Sequence, residues 1–240
     1  MIALASTPAL AGALGRDLLP EVERSRGLVV TDVYLTTTSL RGQIVAGAVP
    51  DVLIGLDPAL RELAAVGLLG ATTRRPVATC GVGIAVAAHV DAKAPDTVEE
   101  LVSLLTRASS VAYSRFGASG LHVARLLSEL GIAEQVVPQA TILERGFAAQ
   151  ALADGRAEVA LQLAPELLMV EGTKVLGMLP AAAQQEFAIY LVLPQGGHLG
   201  AAEVADFLLT SVADDTYRRW GLVPVGHRSV DVGVGPMPGR

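Results

Sequence analysis

A single cysteine, Cys80, stands among the 240 residues, so no internal disulfide can form. Set in an apolar run, it reads as a small buried hydrophobe. Aromatic residues make up only 4% of the chain, which leaves no stacking platform for sugars or nucleobases. Basic residues are few and scattered: 18 Lys and Arg stand against 24 Asp and Glu, for a formal net charge of −6. Beyond the pairs Arg74-Arg75 and Arg218-Arg219 they form no cluster, whereas a nucleic-acid binder shows a basic patch or stripe. No nucleic-acid partner is expected. The chain is 51% hydrophobic, yet Gly, Pro and charged residues cut the apolar residues into short blocks. None reaches the roughly 18 uninterrupted residues of a membrane-spanning helix, so no membrane insertion is expected.

Motifs for the common chemistries are missing as well. There is no HExxH, no cysteine pair, no GxSxG and no P-loop, and His89, His198 and His227 lack the spacing of a metal site. "GVGIAV" (81–86) has two glycines of a dinucleotide loop but lies inside a strand-like run. No metal and no cofactor are expected. The opening "MIALASTPAL" lacks the basic and apolar regions of a signal peptide, from which a cytoplasmic location is expected; a mature exported form is the alternative.

What is present is an alternation of strand and helix. Apolar strand-like runs recur at 1–5, 27–35, 51–55, 77–90, 110–114, "QATIL", "AEVALQL" and 186–194. Helical segments lie between them. Ser6 is placed as an N-cap before Pro8, and Pro20 should interrupt the first helix. "TVEELVSLLTRA" opens with a capping-box spacing, Thr97 to Glu100. "ERGFAAQALADG" reads as a helix ended by Gly155, followed late in the chain by helices at 201–212 and about 213–220. The tail from Gly226 is Gly-rich and reads as irregular. Such alternation argues for an α/β protein with largely parallel sheets. The two longest apolar runs, 77–90 and 186–194, suggest crossings between lobes. That gives a discontinuous lobe (1–78 plus 188–226), a continuous one (79–187) and a tail at 227–240.

Taken in order, "ALASTPAL", "TTTSLRGQIVAGAVPDVLIGLDPALREL", "VAYSRFGASGLHVARLLSELGI", "LADGRAEVALQ" and "YRRWGLVPV" resemble the molybdate-binding-protein family, a branch of the type 2 periplasmic solute-binding proteins. The resemblance covers nearly the whole chain. It implies two α/β lobes on a hinge, closing on a small anion held in the cleft by hydroxyls and backbone N–H groups. On this resemblance the first-lobe ligand serine falls on Ser6, and the second hydroxyl contact on Thr37 or its neighbours Thr38 and Ser39. Backbone contacts of the second lobe fall on Ser119 and near Arg145. The family's ligand tyrosine falls near Leu163, which has no hydroxyl. An ABC permease would be a partner only if the chain is exported.

Helix N-termini are ready anion sites, because their N–H groups are unpaired and carry partial positive charge. Arg41, Arg115 and Arg145 all stand near such ends, where a cation opposes the helix dipole unless an anion is bound. Arginine prefers planar carboxylate or phosphate partners, so Arg115 and Arg145 point to a small organic acid. The resemblance also reaches aconitate isomerase, which implies an alternative: a cofactor-independent isomerase of a small di- or tricarboxylate. His122 and Glu144 are then the candidate general bases.

Overall fold

The structure, a computed structural model, describes residues 1–69 and 74–225. The tail from Gly226 lies outside the described residues. In chain order the strands are β1 (Ile2–Ser6), β2 (Val30–Tyr34), β3 (Val52–Leu56), β4 (Arg75–Ala87), β5 (Val111–Ser114), β6 (Thr141–Leu143), β7 (Val159–Leu163), β8 (Thr173–Met178), β9 (Glu186–Val192) and β10 (Val223–Pro224). The α-helices are α1 (Leu19–Arg26), α2 (Thr37–Val45), α3 (Asp57–Ala65), α4 (Val98–Arg107), α5 (Ala118–Glu129), α6 (Ala133–Val136), α7 (Gln150–Ala153), α8 (Ala164–Leu167), α9 (Ala201–Phe207) and α10 (Ser211–Arg219).

The strands run in the order β2-β1-β3-β9-β4-β7-β5-β6, and β4 joins two sheets. Its Arg75–Gly81 half pairs with β9, and β10 pairs at Ala78 and Thr79. From Val82 to Val86 it pairs with β7, and β8 lies along its other edge. At thirteen residues it is more than twice the usual strand length, and one strand shared by two sheets is what makes the molecule two-lobed. Within each lobe the pairs β1–β2, β1–β3, β5–β6 and β5–β7 are parallel, so the carboxyl ends of these strands open onto the starts of the following helices.

Both faces of the sheets are covered, which explains strands without polar alternation. Val52, Ile54 and Leu56 of β3 enter the main core while Leu53 packs on the opposite face with Leu40, Leu60 and Leu63. In the second lobe Val82, Ile84 and Val86 belong to the main core, but Ala85 and Ala160 pack with Ala151 of the short α7 and with Ala148 just before it. Alanine on that face lets short helices sit close to the sheet.

Most helix starts follow the sequence. Thr97 caps α4 by accepting the Glu100 N–H at 3.2 Å; the Glu100 carboxylate reaches back to the Asp96 N–H at 2.7 Å, one residue beyond the capping-box position. Before Pro20 the chain is π-helical over Gly12–Leu18, with the Leu19 N–H bonded to the Leu14 carbonyl. Pro20 has no N–H with which to continue the earlier ladder. Three expectations need correction. The sheets are mixed rather than largely parallel: β9 runs antiparallel to β3 and β4, and β7, β8 and β10 run antiparallel to β4. Ser6 does not cap a helix: Thr7 holds the N-cap place of the 3-10 turn Pro8–Leu10, with no side-chain cap bond. "ERGFAAQALADG" is not helical throughout. Residues 144–146 form bends, and α7 starts only at Gln150. Gly146 takes φ +82°, a left-handed conformation that interrupts a helix and that glycine adopts without penalty. β8 has no counterpart in the sequence reading.

Candidate functional site

In the first lobe, β1 ends at Ser6, which is 1% exposed, followed by Thr7 at 7%. The backbone here is pinned from both sides. The Leu35 N–H donates to the Ser6 carbonyl at 2.8 Å, and the Thr7 N–H donates to the Ile54 carbonyl at 3.0 Å. The side chains are less engaged. Ser6 Oγ donates only to the adjacent Thr7 carbonyl, at 3.3 Å, and the Thr7 hydroxyl makes no hydrogen bond among the described residues. Thr7 lines a small dent of about 10 Å³ with Leu35, Leu40 and Ile54, room for about one water molecule.

At the start of α2, Thr36 is the cap, accepting the Ser39 N–H at 3.4 Å and donating its hydroxyl proton to Ser39 Oγ at 3.1 Å. Thr37 takes the first helical position, and its side chain lies outside the described residues. Thr38 and Ser39 are exposed. Arg41 ion-pairs with Glu62 of α3, both half exposed, so its place in the first turn of α2 has a local partner.

In the second lobe, Ser119 is the second residue of α5 and only 2% exposed, and its hydroxyl has no hydrogen-bond partner among the described residues. Gly120 lets this helix end rest directly on β5: a Cβ there would fall 1.7 Å from the Ser114 carbonyl oxygen. Ser114 Oγ accepts the Gly117 N–H at 3.0 Å and so ties the loop between them. Arg115 is half exposed and stands 4.0 Å from the Glu144 carboxylate. Arg145 is exposed, in the bend after β6 rather than at a helix start, so no helix dipole opposes it. Leu163, in the family's tyrosine position, is buried.

His122 lies one turn into α5, 7% exposed, with both ring nitrogens occupied. Nε2 is 2.9 Å from the Ala183 carbonyl oxygen, which can only accept, so Nε2 carries the proton. Nδ1 then accepts from the Arg125 guanidinium at 3.2 Å. Glu144 is 73% exposed at its side chain.

The sequence reading misses two buried polar residues behind this lobe's site. Gln162 accepts the Ala148 N–H at 2.5 Å. Glu166, in α8, is 7% exposed, and burial raises its carboxyl to about 7 against a lowering hydrogen bond from Gln162. Gln162 is the one polar residue in "VALQL", and a lone amide inside a buried strand is a signal that could have found it. Glu166 after Pro165 looks like an ordinary acid in a first helical turn and gives none. α8 packs against the turn Pro8–Leu10, which joins the carboxyl end of β7 to that of β1 and brings the two lobes into contact beside Ser6 and Thr7. A larger concavity of about 390 Å³, between α4 and the start of β7, is lined by Glu100, Ser103, Arg107 and Glu158. No helix N-terminus or uncommitted buried hydroxyl converges there, so the interlobe region is the better candidate.

Over residues 2–223 the sequence matches the family described as bacterial extracellular solute-binding protein. The chain belongs to this family. Solved structures share its fold at low identity. The periplasmic molybdate-binding protein of Azotobacter vinelandii superposes with a TM-score of 0.76 at 17% identity, covering 93% of this chain and 99% of that one. Peb3 of Campylobacter jejuni gives 0.67 at 10%, with the same coverage. The tungstate-binding protein TupA of Desulfovibrio alaskensis gives 0.58 at 13%, covering 93% and 98%. No curated protein matches the sequence. The two-lobed type 2 periplasmic-binding fold is therefore the fold of this solute-binding protein. Its family is described as extracellular, and the match supports neither the cytoplasmic expectation nor the isomerase alternative. Among the described residues no helix is long and apolar enough to cross a membrane.

Proposed function

We propose that this solute-binding protein closes its two lobes on a small anion, without chemistry, and that the ligand is a tetrahedral oxyanion. One observation carries the reading. Ser6, Thr7 and Ser119 are largely buried residues at the carboxyl ends of strands or the start of a helix, and their hydroxyls are little used inside the chain: Ser6 has one long bond, and those of Thr7 and Ser119 have no partner among the described residues and are not sealed from solvent. Hydroxyls left open in this way beside helix starts are available to an acceptor from outside the chain. Ser6 and Thr7 would serve from one lobe and Ser119 from the other, with the N–H groups opening α2 and α5 and the hydroxyls of Thr38 and Ser39 completing the shell.

These inner donors are neutral, which suits an ion that brings its own charge. Molybdate and tungstate are named for two of the similar structures, and a Peb3 structure is described as bound to L-phospholactate. The last supports a second reading, an oxyanion with a carboxylate arm. Arg145 is exposed, with no ion-pair partner among the described residues, and could meet that arm at the rim. His122, with both nitrogens engaged, has no lone pair for abstracting a proton, and Glu144 sits in solvent beside Arg115. Both observations favour binding over isomerisation. The division into lobes at about 78 and 188, an extracytoplasmic place of action and an ABC permease as partner belong to the same proposal.

A thermal-shift panel tests it: molybdate, tungstate, sulfate and phosphate in one half, di- and tricarboxylates and phospholactate in the other. At about 100 times its dissociation constant, a ligand should stabilise the protein by about 2.7 kcal/mol. A shift with one or more oxyanions is expected; no shift anywhere in the panel would overturn the reading. Arg145→Ala should leave inorganic oxyanion affinity unchanged. It should weaken phospholactate only severalfold, since an exposed pair contributes little. An equal loss for both ligands would move Arg145 from the rim into the inner shell.

A further inference from the structure

We propose that Gln184 is a hinge clasp: its side-chain amide ties together the two chain crossings between the lobes and so positions the lobes for closure on the anion. Closure on an anion rests on the binding reading above. The clasp itself rests on hydrogen-bond geometry that needs no ligand.

Along β4 the last pair with β9 is Gly81 with Glu186, and the first pair with β8 is Gly83 with Met178. Val82 falls between them, beside the segment 179–185 that leads from β8 to β9 and forms the return crossing. There the Gln184 amide stands in for a strand. Its Oε1 accepts the Val82 N–H at 2.8 Å, and its Nε2 donates to the Val82 carbonyl at 3.0 Å. The Leu179 N–H shares that carbonyl at 3.0 Å, and the Gln185 N–H donates to Oε1 at 3.0 Å. These partners fix which way round the amide lies, since an N–H must meet the oxygen and a carbonyl the NH₂. Gly81 makes the room: a Cβ there would fall 2.9 Å from Gln184 Cδ and 2.8 Å from the terminal methyl of Met178.

The same segment is gripped by the second lobe on both sides of Gln184. His122 Nε2 donates to the Ala183 carbonyl at 2.9 Å. Arg125 donates to Gln185 Oε1 at 2.8 Å and to His122 Nδ1 at 3.2 Å. Both stand on α5, whose first turn carries Ser119. Residues 183–185 and Val82 therefore travel with the second lobe, whereas β9 and residues 75–81 of β4 belong to the sheet of the first. Bending is confined to two adjacent steps, Gly81 to Val82 and Gln185 to Glu186, and glycine adapts its backbone most freely at such a place. With the clasp closed the two steps bend as one. Without it each crossing bends alone, and misaligned arrangements compete with the one that closes. Apparent affinity falls with the fraction of closure-competent molecules.

The test uses the whole protein with nitroxide labels at Gln43→Cys on α2 and Ser103→Cys on α4, exposed positions in the two lobes; Cys80 is buried and stays unlabelled. Double electron–electron resonance then reads the interlobe distance without ligand. Gln184→Met keeps the length of the side chain and loses both amide bonds. The distance distribution should broaden, and the Val82 amide should lose protection against hydrogen exchange. Gly81→Ala keeps Gln184 but crowds its amide off Val82, so it should broaden the distribution too, and it carries the test should the methionine variant fail to fold. Calorimetry with molybdate should show a several-fold loss of affinity in Gln184→Met, although every proposed contact residue remains. Identical distance distributions in wild type and both variants would overturn the clasp. Broadened distributions with unchanged molybdate affinity would overturn its role in closure. Broadened distributions beside a wild type that binds no anion of the panel would leave the clasp standing and sink the binding reading instead.

Discussion

Replacing Gly120 with alanine is expected to lower stability by about 3 kcal/mol or more and to take ligand binding with it. The added Cβ would fall 1.7 Å from the Ser114 carbonyl oxygen and 2.6 Å from its carbon. Both are backbone atoms, so no side chain can swing aside to make room. Ser114 cannot retreat easily, because β5 is held in register by β6 and β7. Overpacking a tight site costs about 1–3 kcal/mol and sometimes more, and here the only relief is to lift the first turn of α5 off the sheet. That turn carries Ser119, so the damage is local to the proposed anion contact. Urea unfolding of the variant, followed by the thermal-shift panel, measures both effects. An unchanged midpoint would mean that α5 does not rest on β5 as described.

How far the sequence revealed this arrangement differs from element to element, for physical reasons. Runs such as "DVLIG" and "SVAYS" were legible because a strand buried on both faces has little choice of composition. β4 was legible as unusual from its length, though not the point near Gly81 and Val82 where it passes from one sheet to the other; that depends on which strands come to lie beside it. β8, "TKVLGM", is half-exposed and broken by a glycine, so its pairing with β4 comes from tertiary placement rather than pattern. The arginines misled. Arg41 near a helix start looked like an unpaired cation awaiting an anion, but Glu62, 21 residues away, supplies the partner. Arg145 was placed at a helix start that Gly146 prevents from forming there. In the candidate site the hydroxyls of Ser6 and Ser119 were visible as residue types at the right spacing. Their lack of internal partners was not, because hydrogen-bond bookkeeping needs coordinates. Glu166 lies furthest from sequence reach, an ordinary acid in a first helical turn; Gln162 is marked as a lone amide in a buried strand, but only the fold brings the Ala148 N–H to it.

Ser6→Ala and Ser119→Ala should each weaken anion binding about 10- to 100-fold while leaving the free protein as stable as before. A hydrogen bond to a charged group is worth about 1.5–3 kcal/mol, and 1.4 kcal/mol is tenfold in affinity. The free protein has little to lose. Ser6 Oγ has only its long bond to the neighbouring Thr7 carbonyl, and Ser119 Oγ has none among the described residues. Removing a hydroxyl with little or no bonding inside the chain forfeits almost no hydrogen bond of the free protein. Calorimetry with the strongest oxyanion of the panel, beside urea unfolding without ligand, separates this outcome from its rival. Should either serine instead support the fold, stability would fall while the affinity of the surviving folded protein stayed put. The double variant adds a sharper criterion. The two serines sit in different lobes, so in the free protein their effects on stability should simply add. With ligand bound they meet through one anion, and closure of the lobes depends on both contacts. A coupling energy that appears only in the bound state would therefore show that Ser6 and Ser119 hold the same ion from opposite sides of the cleft. Strict additivity in both states would place them in separate sites.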